Sequence, residues 1–225
     1  MSPARVVEAA CAEGADLLLI ADHDSFEGAR AARREVMRIE APLHIPVAAE
    51  ILTEFGDVIV AFDDEVDCLE VSRLKEFAQL VFCARSAGGI VILPHPYRGH
   101  SAPDLIARDV DVIEVFNARC TAEENALAAM LAQTTRRAPA YAADAHFLME
   151  VRAVSAEYDG PAAVATLRKT PRSLGHTQTS RSRIAFASLT KAVRERRVRG
   201  VVLHSFSFLR NLAYEALIGR SRLTK

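Results

Sequence analysis

Five residues in this sequence have the chemistry of a metal site: His23, Glu50, His95, Asp144 and His146. Three imidazoles and two carboxylates make a borderline-hard donor set, suited to divalent zinc, manganese or iron. Two or more such ions held close together clamp a phosphate and lower the pKa of a bridging water. Arg98 and Arg119 lie just beyond two of these positions. A guanidinium fork binds phosphate oxygens in two places at once, so both are candidate substrate clamps. Each residue alone has an ordinary explanation. Glu50 reads equally as a solvent-facing hairpin residue, His95 before Pro96 as a turn, and either arginine as a surface charge. Position is what sets the group apart.

Each of the five follows an apolar run. Leu17-Leu18-Leu19-Ile20-Ala21 leads into Asp22-His23-Asp24, and Val47-Ala48-Ala49 into Glu50. Ile90-Val91-Ile92-Leu93-Pro94 leads into His95, and Ala140-Tyr141-Ala142-Ala143 into Asp144-Ala145-His146. Unbroken apolar runs are strands covered on both faces, and residues at the carboxyl ends of such strands line the site in α/β folds. Strands are therefore expected at 16–21, 47–50, 90–94, 111–116 and 139–143. Ile51 to Phe62 reads as a hairpin turning at Gly56-Asp57.

Helices fill the intervals. Ser2-Pro3 starts the first, which Gly14 ends, and Ser25 caps a second over 26–38. Leu74, Phe77, Ala78 and Val81 mark a third that closes at Gly88-Gly89. A short one follows Ser101, and Thr121-Ala122-Glu123-Glu124 opens another with a capping box. Alternating strands and helices mean a parallel sheet, open or closed into a barrel. Beyond about residue 150 the expectation is a short helix near 161–168, a polar loop over 170–182, and helices at 183–198 and 205–218. His44 and His100 have no strand-end context and read as bystanders.

The 225 residues suffice for one sizeable core. No apolar run approaches a membrane span, and the N-terminus lacks the pattern of a signal peptide. Cys11, Cys68, Cys83 and Cys120 form no C-x-x-C pair, which fits a reducing cytoplasm. Net charge is −1, but unevenly spread. From Arg168 onward there are 14 Lys and Arg against two acids, Glu195 and Glu215, a net of +12 that leaves −13 for residues 1–167. An acidic body suits cation binding. A basic tail can contact phosphates, nucleic acid included, although a solvated helix face is the commoner explanation.

Ala21-Asp22-His23-Asp24, Glu50-Ile51, Pro94-His95-Pro96-Tyr97, Ile113-Glu114-Val115-Phe116-Asn117-Ala118-Arg119 and Ala143-Asp144-Ala145-His146 resemble, in order, successive motifs of the PHP family, the polymerase and histidinol phosphatase domains. The resemblance covers residues 1–150 and implies a distorted seven-stranded (β/α) TIM-like barrel. Residues 151–225 are similar, more loosely, to the basic and mostly helical C-terminal region of some members. It implies two or three divalent ions at the barrel's C-terminal face, with His23, Glu50, His95, Asp144 and His146 matching family ligands. It also implies hydrolysis of a small phosphorylated substrate or nucleotide by a metal-bridged hydroxide. The family's first strand carries a His-x-His pair without counterpart here, and the histidine many members place in the hairpin falls near Ile59. The resemblance thus implies an N-terminally truncated barrel whose first strand is encoded upstream of Met1. The alternative is a non-catalytic remnant that binds a phosphorylated ligand, nucleic acid or a protein partner.

Overall fold

The computed structural model describes residues 1–66 and 68–223. In chain order the elements are α1 (Pro3–Ala12), β1 (Asp22–His23), α2 (Glu27–Ile39), β2 (Val47–Thr53), β3 (Gly56–Phe62), α3 (Cys68–Arg73), α4 (Phe77–Ser86) and β4 (Ile90–Leu93). There follow α5 (Pro103–Ile106), β5 (Val112–Asn117), α6 (Ala122–Thr135), β6 (Ala138–Ala142), β7 (Val154–Glu157), β8 (Ser173–His176), α7 (Arg181–Arg194) and α8 (Val198–Leu223). Contacts group them into two compact units, Met1–Thr177 and Gln178–Lys225, so residues 151–177 belong to the first. No helix among the described residues is long and apolar enough to cross a membrane.

In the first unit, β1 to β6 form one sheet in sequence order. The β1–β2, β4–β5 and β5–β6 pairs are parallel, and β3 alone runs against its neighbours. The alternation of helix and strand delivers this arrangement, because a parallel neighbour is reached only by a crossover. The α/β class expected from sequence is present, with β1 and β6 as the edges of the sheet. Both edges are less buried than the middle. Leu17 to Ala21 and every residue of β6 are only partly covered, whereas β4 is buried throughout. Pro139 fits this placement, since a strand residue with no N–H to donate is tolerated at an edge.

The two faces of the sheet separate cleanly. Val47, Ala49, Ile51, Val58, Val60, Phe62, Val91, Leu93, Ile113 and Val115 point one way, into a core shared with Leu80, Ala84 and Leu131 of α4 and α6. Ala48, Ile59, Ala61, Ile90, Ile92 and Val112 form a second, smaller core on the opposite face. Glu50 and Glu114 alternate with that second set, so both carboxylates belong to its face. α1 and α2 make a third cluster through Val7, Ala10, Ala29 and Ala32, joined by Leu43 and Ile45. The Thr121 capping box forms as expected, with Thr121 Oγ1 accepting from the Glu124 amide at 3.1 Å and Glu124 from the Thr121 amide at 2.7 Å.

Several expectations need correction. Residues 16–21 make no continuous ladder. Only Leu17 bridges to His44 before β1 pairs with β2 at Asp22 and His23. Glu50 does not end a strand. The expected strand at 47–50 and the first arm of the hairpin are one element, β2, joined to β3 through Glu54 and Phe55 rather than at Gly56-Asp57. The expected polar loop over 170–182 contains β8, paired antiparallel with β7. Both strands are short and largely exposed, so they lack the apolar alternation that marks a strand in sequence.

The second unit is a helical hairpin. Phe186 and Phe208 meet with ring centroids 5.3 Å apart. At Gly200 an added Cβ would stand 3.1 Å from the Ala192 Cβ, so hydrogen at this position permits the close approach of α8 to α7.

Candidate metal centre

Strand register builds one part of the site. His23 pairs with Glu50, Glu50 with Ile59, and Ile59 with Ile92, a single row across four strands. Asp57 pairs with Leu52, two residues along from Glu50, and therefore shares its face. His23 Nδ1 lies 3.6 Å from Glu50 Oε2. Among the described residues, His23, Glu50 and Asp57 form the group of three whose donor atoms all lie within 4.8 Å of one another.

His95 adds an imidazole to this part of the site. Its Nε2 is 3.1 Å from Glu50 Oε1 and its Nδ1 3.1 Å from the Arg98 carbonyl. Two acceptors call for protons on both ring nitrogens. In accord with this, the Glu50 hydrogen bond and the Glu114 charge outweigh burial, which opposes a charged ring, and hold the His95 pKa above its ordinary value. His95 adopts φ 28°, in the left-handed region that a non-glycine residue occupies at a cost. Its backbone amide donates to Glu114 Oε2 at 3.0 Å, which fixes the turn. Burial pushes the Glu114 carboxyl up from its usual range.

His100 is no bystander. Its ring centroid lies 5.7 Å from that of His95, and its Nε2 donates to the Asp57 carbonyl at 2.7 Å. Burial pushes its pKa down. The neutral ring then leaves Nδ1 as a bare lone pair, buried and without a hydrogen-bond partner. His44, the other presumed bystander, holds Asp63 Oδ1 at 2.8 Å and has no part in the site.

The other part of the site is built differently. Asp144, at φ 47°, and His146 follow β6, and His146 Nδ1 lies 3.5 Å from Asp144 Oδ1. The Arg98 guanidinium is already paired with Asp144 Oδ2, and Asn117 Nδ2 donates to the same oxygen at 3.3 Å. Burial disfavours the Asp144 charge, but Arg98 outweighs it and holds the pKa below the usual carboxylate range. Arg119 Nη1 lies 3.5 Å from Glu150 Oε2, with side chains 5% and 2% exposed. Glu150 Oε2 also accepts from the His146 amide at 2.8 Å and the Phe147 amide at 3.1 Å, which pins the loop carrying His146.

The five sequence candidates are thus linked without forming one donor set. Glu50 reaches His95 through a side-chain hydrogen bond. The His95 amide reaches Glu114, Glu114 shares Asn117 with Asp144, and Asp144 reaches His146. The donors that fit a divalent cation are His23, Glu50 and Asp57, one nitrogen and two oxygens, with His95 bonded to Glu50. The orphaned His100 Nδ1 is a further electron-pair donor close by.

No family model and no curated protein matches the sequence. Solved structures do resemble the chain. A two-domain protein of Bacteroides vulgatus, containing a predicted PHP-like metal-dependent phosphoesterase, superposes with a TM-score of 0.50 at 13% identity, over 62% of this chain and 46% of that one. The fold is PHP-like. The chain spans less than half the length of the Bacteroides protein, and identity this low concerns the fold alone. PsfC of Pseudomonas syringae gives a TM-score of 0.51 at 16% identity, over 93% of this chain and 88% of its own. An amidohydrolase of Chromobacterium violaceum gives 0.49 at 15% identity, over 65% and 82%. In this PHP-like fold, His23, His95, Asp144 and His146 all stand at or beyond the carboxyl ends of strands that share one direction.

Proposed function

We propose that the chain is a metal-dependent phosphoesterase acting on a small phosphorylated metabolite or a nucleotide. The observation that carries this reading is the convergence of His23, Glu50 and Asp57 donor atoms within 4.8 Å on one face of the sheet. These residues, with His95 once its Nε2 proton is displaced, would hold a divalent ion, manganese, zinc or iron by donor type. A bound ion there supplies Lewis acidity toward a phosphoryl oxygen and acidifies a water.

The chain's own groups do the positioning. Glu50 ties His95 to the His23 row, and Glu114 holds the His95 amide. Arg98 grips non-bridging phosphate oxygens by exchanging the Asp144 carboxylate for the substrate phosphate, a trade between anions. Arg119 is committed to Glu150 and shapes the His146 loop rather than the substrate. Hydrolysis of p-nitrophenyl phosphate and a nucleotide panel, with and without Mn²⁺, tests the reading. It expects Mn²⁺-dependent turnover that Glu50→Gln lowers by about 100-fold or more. Metal-independent or absent turnover would contradict it.

The second reading, a non-catalytic module that binds a phosphorylated ligand, draws on one observation. Asp144 is satisfied by Arg98 without any ion. It predicts phosphate binding without turnover in the same assay.

A further inference from the structure

Asn117, at the end of β5, is gripped on both sides of its own backbone. Its amide donates to Asn125 Oδ1 at 3.0 Å, and Asn125 Nδ2 donates back to its carbonyl at 3.2 Å. Asn125 belongs to the start of α6, so one side chain ties that helix to the strand end. The Asn117 side chain, 1% exposed, is equally committed. Its Oδ1 accepts from the Arg119 amide at 2.9 Å, and its Nδ2 donates to Glu114 Oε2 at 3.1 Å and to Asp144 Oδ2 at 3.3 Å. Two N–H donors and one carbonyl are all an asparagine side chain has, and every one is used.

The strand is distorted to allow this. Asn117 lies three positions after Glu114, an odd step that in a regular strand puts two side chains on opposite faces. Glu114 pairs with Ala140 and Asn117 with Ala142, so three steps on β5 match two on β6, and a bulge lies between. The extra residue returns Asn117 to the Glu114 face. Bulges re-aim side chains in this way beside sites. The result is an amide that holds Asp144 independently of Arg98.

That independence matters when Arg98 turns to a phosphate. The Asp144 side chain is 20% exposed, and a carboxylate so enclosed is costly once its countercharge leaves. Asn117 Nδ2 is the donor left on Oδ2, with His146 Nδ1 3.5 Å from Oδ1. A hydrogen bond to a charged group is among the stronger ones, provided its geometry is kept. We propose, on the basis of the Arg98 exchange in the function proposed above, that Asn125 and Asn117 are positioning residues for phosphate binding. Asn125 fixes Asn117, and Asn117 retains Asp144 while Arg98 exchanges it for the substrate phosphate. Neither asparagine touches the substrate.

Calorimetric titration with inorganic phosphate, on the full chain carrying one equivalent of Mn²⁺, tests this. Asn125→Ala should weaken phosphate binding about fivefold. Asp144→Asn removes the carboxylate that Arg98 has to leave, so phosphate should bind it at least as tightly as wild type. Adding Asn125→Ala to Asp144→Asn should then cost less than about twofold. Thr121→Ala removes the cap of the same helix without touching Asn117 and should also stay within about twofold. Asn125→Asp keeps the acceptor for the Asn117 amide and should recover part of the loss, and Asn125→Ser replaces the alanine variant if that does not fold. No loss in Asn125→Ala, an equal loss with and without the Asp144 carboxylate, or a loss shared by Thr121→Ala would make Asn125 a fold staple and overturn the proposal. So would failure of the unmodified chain to bind phosphate. Turnover of p-nitrophenyl phosphate in the same samples separates the two claims. The expected coupling in phosphate binding without turnover would uphold the positioning role and contradict the phosphoesterase reading.

Discussion

Around Glu50, a carboxylate is met by two imidazoles and a second carboxylate, Asp57. Around Asp144, a carboxylate is met by a guanidinium, and the neighbouring Glu150 faces another. Both regions gather acid and histidine, yet only in the first is the positive charge beside the carboxylate a proton, on His95, that an incoming metal ion can displace rather than a guanidinium. The Asp144 side carries its positive charge within the chain, on Arg98 and Arg119. Histidine and carboxylate at strand ends therefore do not by themselves define a cation seat. What decides is whether an arginine reaches the carboxylate first.

The largest effect should come from removing the fixed charge where it is most buried. Arg119→Met leaves Glu150, 2% exposed, without a countercharge, and should cost about 3 kcal/mol in urea unfolding. A loss below about 1 kcal/mol would show that Arg119 does not support the Glu150 charge. Next comes Arg98→Met, which frees Asp144 beside His146. Equilibrium dialysis should then find a second Mn²⁺ per chain in place of one, and unchanged stoichiometry would count against Arg98 as the internal cation.

On the Glu50 side, Gly56 has φ +125°, and a Cβ there would stand 2.7 Å from His100 Cδ2. Gly56→Ala should cost about 1–3 kcal/mol and weaken Mn²⁺ binding severalfold by shifting Asp57. Unaltered affinity would remove Asp57 from the seat. The smallest effect concerns Glu114, whose pKa is raised by burial. A raised carboxyl contributes stability below its unfolded pKa and loses it as pH rises through the folded value. Glu114→Gln does not titrate, so its melting temperature relative to wild type should climb between pH 5 and pH 8. A flat difference would mean that burial does not raise the Glu114 carboxyl.

Much of this was legible beforehand. The apolar runs before His23, His95 and Asp144 mark real strands or strand approaches, and Thr121 and Glu124 form the cap their spacing requires. The candidate seat was half legible. Gly56-Asp57 reads as a turn in sequence, and only the Leu52–Asp57 register puts Asp57 on the Glu50 face. That signal was available as period-two spacing from Ile59, had the turn been placed at Glu54-Phe55. His100 was dismissed because its hydrogen-bond partner, Asp57, lies 43 positions away on β3 and leaves no local trace. The Arg98–Asp144 pair spans 46 positions and depends on the left-handed turn at His95, which no composition predicts.

The most direct test is a Mn²⁺ titration of wild type, Glu50→Gln and Asp144→Asn, read by calorimetry and by electron paramagnetic resonance of the free ion. If the Glu50 side is the cation seat, wild type and Asp144→Asn should bind one Mn²⁺ with affinities within about threefold, while Glu50→Gln loses binding by about 100-fold or more. Loss of the ion in Asp144→Asn with retention in Glu50→Gln would contradict the account.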